Sequence, residues 1–498
     1  MNPYTQQYEF NKVKKQRQKR LIITYIIMTF AIIVISALCI ALVLGWRFSG
    51  GQVKQGALVQ FASFPSSATV TLDGTILNLK TPGKRDVDAG SHDVTISKED
   101  YRNWNKRLSL EPGEVRWINY ARLIPKDVDT KVLKEYPNLS QILPSIDRDW
   151  IMVAPDAAKP ELEIIDIRDL KQITYTQFAI PSASLSLPPE VATHSYRLIE
   201  WSLDSKYILV EHKYGDSIEF IRIDCKNFAN AVNLTVKFGV PIADVHFSTG
   251  DVFYGIDSGN MRRYDMNAEA LSEPLARNVT KMKLFGDTDI ALLRQENARF
   301  IVETYIDGKI TKIVDYDETR PILMDIASYY NNRYLSISRG NELVVYENPH
   351  RLEKGQEPQQ YTKQIFEGGE IKWLDMSSVG RFVIAGQSRQ WITYDIELDT
   401  KSDINLAGMP GYESVPPQWI DESNIISIAD NKLRMVDFNG DNEQVILNTL
   451  LNFPVSLNDN GKVLFSTNRN QAGVYQLQVS NMTIEKLTTT LGISAPVN

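Results

Sequence analysis

The stretch Trp201-Ser202-Leu203-Asp204-Ser205-Lys206-Tyr207-Ile208-Leu209-Val210 decides the fold. It reads as a strand end, a polar turn and a second, apolar strand. The same unit recurs around Trp373 to Ile384 and Trp419 to Ile428, and in the turn Asn458-Asp459-Asn460-Gly461 before Val463-Leu464-Phe465. A second mark follows downstream, a strand closed by an apolar or aromatic residue and then an acid or amide at a turn. It stands at Ile165-Asp166, Ile223-Asp224, Tyr264-Asp265, Ile306-Asp307, Tyr346-Glu347, Tyr394-Asp395 and Val436-Asp437, and more loosely at Ser480-Asn481. After a first gap of 58 residues the marks stay 40–48 apart, the repeat length of a four-stranded propeller blade. No long amphipathic helix interrupts the series. About 370 residues at about 46 per unit give about eight units, within the range of propellers. The pattern predicts a β-propeller of seven or eight blades over residues 126–498. A stack of β-sandwiches is the rival, but it requires about 100 residues per domain and linkers that the sequence lacks.

Working outward to the N-terminus, the chain changes character. Of its 498 residues and net charge of -7, the first twenty residues hold six basic side chains (Lys12, Lys14, Lys15, Arg17, Lys19, Arg20) against Glu9 alone. The acidic remainder is a poor partner for nucleic acid, whose affinity rests on Lys and Arg at phosphates. From Leu21 to Trp46 no residue is charged, and as a helix at about 1.5 Å per residue this run spans a bilayer core of about 30 Å. It exceeds the apolar region of about 7–15 residues typical of a cleaved signal peptide. Residues 1–20 therefore read as a basic cytoplasmic tail, 21–46 as a transmembrane helix held by the lipid bilayer, and the body as extracytoplasmic. Ala37 and Ala41 are a small-xxx-small pair of the kind that lets two helices approach, which leaves an oligomer open. Residues 47–56, polar and glycine-bearing, read as a linker. Cys39 and Cys225 fall on opposite sides of the membrane boundary, so no disulfide framework is expected.

Residues 57–125 form a compact β-rich segment. Val70 and Leu72 alternate with Thr69 and Thr71, and Asp73-Gly74 supplies a two-residue hairpin turn. Val94 and Ile96 repeat the alternation. Leu108 and Leu110 begin another run, and Val115, Trp117 and Tyr120 mark a last strand. The ordered series Pro65-Ser66-Ser67-Ala68, Val70-Thr71-Leu72-Asp73-Gly74, Thr81-Pro82, Gly90-Ser91-His92 and Tyr101 resembles the PEGA domain, with Ser66-Ser67 in place of its Glu-Gly. The resemblance implies a small β-sandwich of structural or binding role, found in bacterial and archaeal surface proteins, with no catalytic residues. His92 reads as a strand residue. The later repeats resemble the divergent propeller repeats of cell-envelope proteins such as the WD40-like family, whose blades carry a Ser-x-Asp-Gly-Lys turn. Ser202-Leu203-Asp204-Ser205-Lys206 matches it most closely and the other units depart from it.

Catalytic motifs are mostly missing. Gly386-Gln387-Ser388-Arg389-Gln390 lacks the last glycine of a nucleophile elbow, and there is no phosphate-binding loop or paired-histidine metal motif. The five histidines lack metal-ligand spacing. Asp437-Phe438-Asn439-Gly440-Asp441 opens like a calcium loop but has Asn442 and Asn448 where Gly and Glu belong. No cofactor or metal is expected. The reading is a membrane-anchored, non-enzymatic scaffold of the bacterial cell envelope, binding a protein or a cell-wall glycan through propeller loops. Tyr214, Arg389 and Tyr412 are its first candidate contact residues. The alternative is a glycan hydrolase or lyase with carboxylates in the propeller channel, such as Asp204 and Asp375.

Overall fold

The computed structural model describes residues 3–43, 46–49, 52–187, 193–317, 320–352, 356–387, 390–405, 416–484 and 487. They fall into two compact units, 1–123 and 124–498.

In the first unit the basic tail and the apolar run are one helix, α1 (Pro3–Val43). Leu21, Ile22, Ile26, Phe30 and Ile33 are all more than half exposed. A helix with its apolar side chains exposed all round has the length and composition of a candidate membrane span. Trp46, expected to close the span, instead opens strand β1 (Trp46–Ser49), which pairs antiparallel with β2 (Gln52–Phe64). The stretch read as a linker is thus largely strand. Ladder pairing is made by backbone groups, so it does not need the side-chain alternation that these residues lack. The helical remainder from Leu21 to Val43 still measures about 34 Å at 1.5 Å per residue, enough for a bilayer core.

Strand β2 also pairs with β5 (Gly83–Asp88) and, in parallel, with β8 (Val115–Arg122). A second sheet has the order β4 (Thr75–Lys80), β3 (Thr69–Leu72), β6 (Gly90–Ser97), β7 (Trp104–Leu110). Val59, Phe61, Val87 and Ile118 of the first sheet meet Val70, Ile96, Trp104 and Leu108 of the second in one buried cluster, as in a sandwich. Asp73 and Gly74 have φ of 49° and 77°, the left-handed pair that a tight hairpin needs. The Asp73 carboxylate accepts from Asp93 N at 2.8 Å and from His92 Nδ1 at 2.6 Å, while His92 Nε2 lies 2.8 Å from the Asp88 carbonyl. His92 therefore ties the turn to its neighbouring strand.

The second unit holds eight four-stranded sheets. Seven use consecutive strands, over 141–179, 194–233, 242–271, 279–316, 322–365, 373–405 and 418–448. The eighth takes three strands from 456–481 and its outermost from the other end of the unit, β9 (Thr130–Tyr136). We number these blades 1 to 8. Residue alternation along the strands explains the ring. In blade 1, Ile151 and Val153 face a cluster shared with Val463, Phe465 and Leu477 of blade 8, while Met152 and Ala154 face one shared with Ile208, Val210 and Ile221 of blade 2. Leu209, between those last residues, faces blade 3. The same two-sided division continues through blades 3 to 8, so that each pair of neighbours shares a core. Each large aliphatic side chain so buried contributes about 1.5–3 kcal/mol, and a blade removed from the ring would expose both of its rows.

The eight acid and amide marks are the ends of the third strands of the eight blades. Asp166, Asp224, Asp265, Asp395 and Asn481 each accept, through a side-chain oxygen, from a backbone N–H two residues on, the Asx turn that stops a strand. The first-to-second-strand turn also has a side-chain clasp. Ser145, Ser202, Ser377 and Asn458 each accept from the N–H five residues later in blades 1, 2, 6 and 8.

Candidate binding site between blades 4 and 5

The approaches between sheets run largely through their first strands, as between Val279–Phe285, Ile322–Tyr329 and Trp373–Met376 of blades 4, 5 and 6. The first strands therefore line the axis. Polar side chains there stitch each blade to the next. Gln141 of blade 1 accepts from Leu198 N at 2.8 Å and donates to its carbonyl at 2.7 Å. Glu200 of blade 2 accepts from Phe247 N at 2.5 Å, and Asp325 of blade 5 from Met376 N at 2.8 Å. His246 Nδ1 lies 2.8 Å from Glu200 and its Nε2 3.4 Å from Asp244. Burial opposes charge on this ring, but the two carboxylates outweigh it and push the imidazole up to about 10.

Asp325 and Asp375 come together on this wall, with Lys283 facing them. Asp375 is exposed on that strand. Partial desolvation and the neighbouring Asp325 push it up to about 7, against the pull of Lys283. Asp375, expected among channel carboxylates, is therefore on the channel-lining strand. Asp204 is not, because it lies inside the blade 2 turn, held by Ser202 Oγ at 2.7 Å and Lys206 Nζ at 2.7 Å.

Beside this wall, where the first turns of blades 4 and 5 meet the third-to-fourth connection of blade 5, lies a cavity of about 510 Å³. That volume is in the range of small-ligand sites, about 300–1,000 Å³. Its rim departs from the serine clasp. Blade 5 turns in two residues, Tyr330-Asn331, between Tyr329 and Asn332. Tyr330 takes a φ of 51° and is 81% exposed, with its ring 4.4 Å from that of Tyr329. Below it, Arg333 Nε donates to Asp289 Oδ2 at 3.0 Å. Asp289 Oδ1 is buried in the same wall and has no partner. Among the described residues Arg351 makes one long side-chain contact, Nη2 to the Asn331 carbonyl at 3.4 Å, which leaves most of its donors open to a ligand. Burial, then the Arg351 and Arg333 guanidiniums, hold the adjacent His350 below its ordinary value.

The expected contact residues lie elsewhere. Tyr214 ends the second strand of blade 2, half-buried, with its ring 5.1 Å from His212. Arg389 and Tyr412 lie outside the described residues. Sequence spacing did not anticipate the network next to Tyr214. His194 Nδ1 meets His212 Nε2 at 2.7 Å, and His212 Nδ1 meets Glu219 at 2.7 Å. A carboxylate only accepts, so His212 Nδ1 is the donor in that second bond. Burial works against the Glu219 charge, but hydrogen bonds from His212, Ser186 and Asn233 hold its carboxyl below the ordinary range. In the segment that opens like a calcium loop, Asp437 and Asp441 accept from Asn442 and Asn439. Among the described residues no group of three or more His, Cys, Asp or Glu is placed to hold a metal ion.

A family model matches the small sandwich. Residues 58–123 are a PEGA domain. Solved structures similar to this chain are propellers. The C-terminal WD40 domain of Sif2 has 10% identity and a TM-score of 0.47, covering 71% of this chain and 98% of that one. The Dos1 propeller has 10% identity and a TM-score of 0.45, covering 72% and 95%. An oligogalacturonate lyase in complex with manganese has 11% identity and a TM-score of 0.40, covering 72% and 98%. No curated protein matches the chain.

Proposed function

We propose that this chain is a membrane-anchored, extracytoplasmic binding protein that takes its ligand in the cavity between blades 4 and 5 and does not transform it. Helix α1 is the anchor in this reading, with the basic end in the cytoplasm. The observation that supports it most is the rim of the cavity. Tyr330 is held out into solvent on a left-handed turn, over guanidinium and carboxylate groups that are only partly engaged with one another. An exposed aromatic ring above convergent polar groups is suited to recognition. Tyr214 is packed on His212 and is less available for contact. To test this, full-length chain in lipid nanodiscs is incubated with fragmented bacterial envelope, and bound glycans and peptides are quantified by mass spectrometry. Loss of bound material in Tyr330→Asn and Arg351→Ala, with retention in Tyr214→Ala, supports the reading. Retention in both pocket variants refutes it.

The Asp325–Asp375 pair favours a second reading, a glycan hydrolase or lyase acting in the channel. Two adjacent carboxyls, one with its pKa near neutrality, are a form that general acid–base chemistry uses.

A further inference from the structure

The chemistry of the cavity narrows its ligand, given the reading above that this cavity is the binding site. Its formal charges cancel, with Asp287 and Asp289 against Arg333 and Arg351. An anionic ligand would meet two carboxylates and a cationic one two guanidiniums. Apart from Phe285, Gly286 and the Tyr330 ring the lining side chains are polar, so a wholly apolar ligand would strand donors and acceptors without partners. The wall carries both donors and acceptors. Asp289 Oδ1 is a buried acceptor without a donor, on a side chain 9% exposed. Among the described residues Arg351 has most of its donors without acceptors. Thr288 and Ser328 add hydroxyls that already donate to Asp287 Oδ1 and the Asn332 carbonyl, and so have lone pairs left to accept with. Above them Tyr330 offers the face of a ring. A ligand complementary to all of this has many hydroxyls, no net charge and a flat apolar face.

We propose that the blade 4–5 cavity binds an uncharged saccharide, one pyranose ring stacking on Tyr330 while its hydroxyls donate to Asp289 and accept from Arg351. The test uses full-length chain in nanodiscs and titration calorimetry. The probes are neutral glucose and N-acetylglucosamine oligomers, a galacturonate oligomer and a zwitterionic tripeptide. A neutral oligomer should bind with an affinity that changes less than about twofold between 50 and 500 mM salt, because no net charge is screened. Tyr330→Asn keeps the turn, since Asn tolerates positive φ, and should weaken binding at least about tenfold. Tyr330→Trp should restore it. Saturation-transfer NMR should show strongest contact at the protons of one ring face. Binding of only the galacturonate or the peptide, still lost in Tyr330→Asn, would overturn the uncharged saccharide and leave the cavity as the site. Binding of any probe that Tyr330→Asn leaves unchanged, or of none, would overturn both.

Discussion

Lys134→Ala should loosen the closure of the ring. Glu163, on the third strand of blade 1, has a side chain only 1% exposed. Its two oxygens are taken by Lys134 Nζ and, at 2.5 Å, by Tyr136 Oη, both on β9, the strand that completes blade 8. Removing one partner of a buried pair costs about 3–5 kcal/mol because the other charge is left uncompensated. Tyr136 still donates in the variant, so the lower end applies, about 3 kcal/mol. For a large domain losing about 2 °C per kcal/mol, the melting temperature falls by roughly 6 °C. Lys134→Met with Glu163→Met should recover to within about 1 kcal/mol of wild type, since an apolar pair replaces the ionic one. The assays are calorimetric melting and hydrogen exchange, in which β9 amides should lose protection first. A Lys134→Ala protein that melts with wild type at pH 8 and keeps β9 protected would refute this account of closure.

The imidazole of His246, raised to about 10 in the folded state, stabilises the chain fully below its unfolded value of about 6.5. That contribution should be lost between about pH 6.5 and 10, a decline in melting temperature that Glu200→Gln reduces. Truncation after Val463 removes the second and third strands of blade 8 and uncovers the blade 1 rows Ile151 and Val153. It should yield aggregated or protease-sensitive protein by size-exclusion chromatography and limited proteolysis. Protease added to intact cells should digest the body and spare a tag on the first residues, and a protected body would reverse the topology.

Much of the propeller was legible because its turns are chemical. An Asp or Asn that stops a third strand presents a side-chain acceptor to the turn, as at five of the eight marks, so these marks survive where the strands themselves diverge. Other features depend on context. Asp375 and Asp204 look alike in sequence, yet one lies on a first strand before the blade turn while the other lies within its own turn and is paired there with Lys206. The cavity was missed because the strand, polar turn and apolar strand unit used to find the hairpins was read in blades 2, 6, 7 and 8 and not in blades 4 and 5. In hindsight that departure, with a tyrosine where the tight turn demands positive φ, was the available signal. Residues 47–56 were misread because backbone pairing leaves no trace in a polar, glycine-bearing run. The approach of His194 to His212 crosses a hairpin, at 18 residues apart, and matches no metal-ligand spacing.

The claim that this chain binds without transforming its ligand is tested most directly by comparing wild type with Asp375→Asn. Both are incubated with neutral oligosaccharides while binding is followed by calorimetry and products by mass spectrometry. The account predicts saturable binding of equal strength in the two proteins, and no product from either. A cleaved product formed by wild type and abolished in Asp375→Asn would contradict it and place an enzyme in the channel.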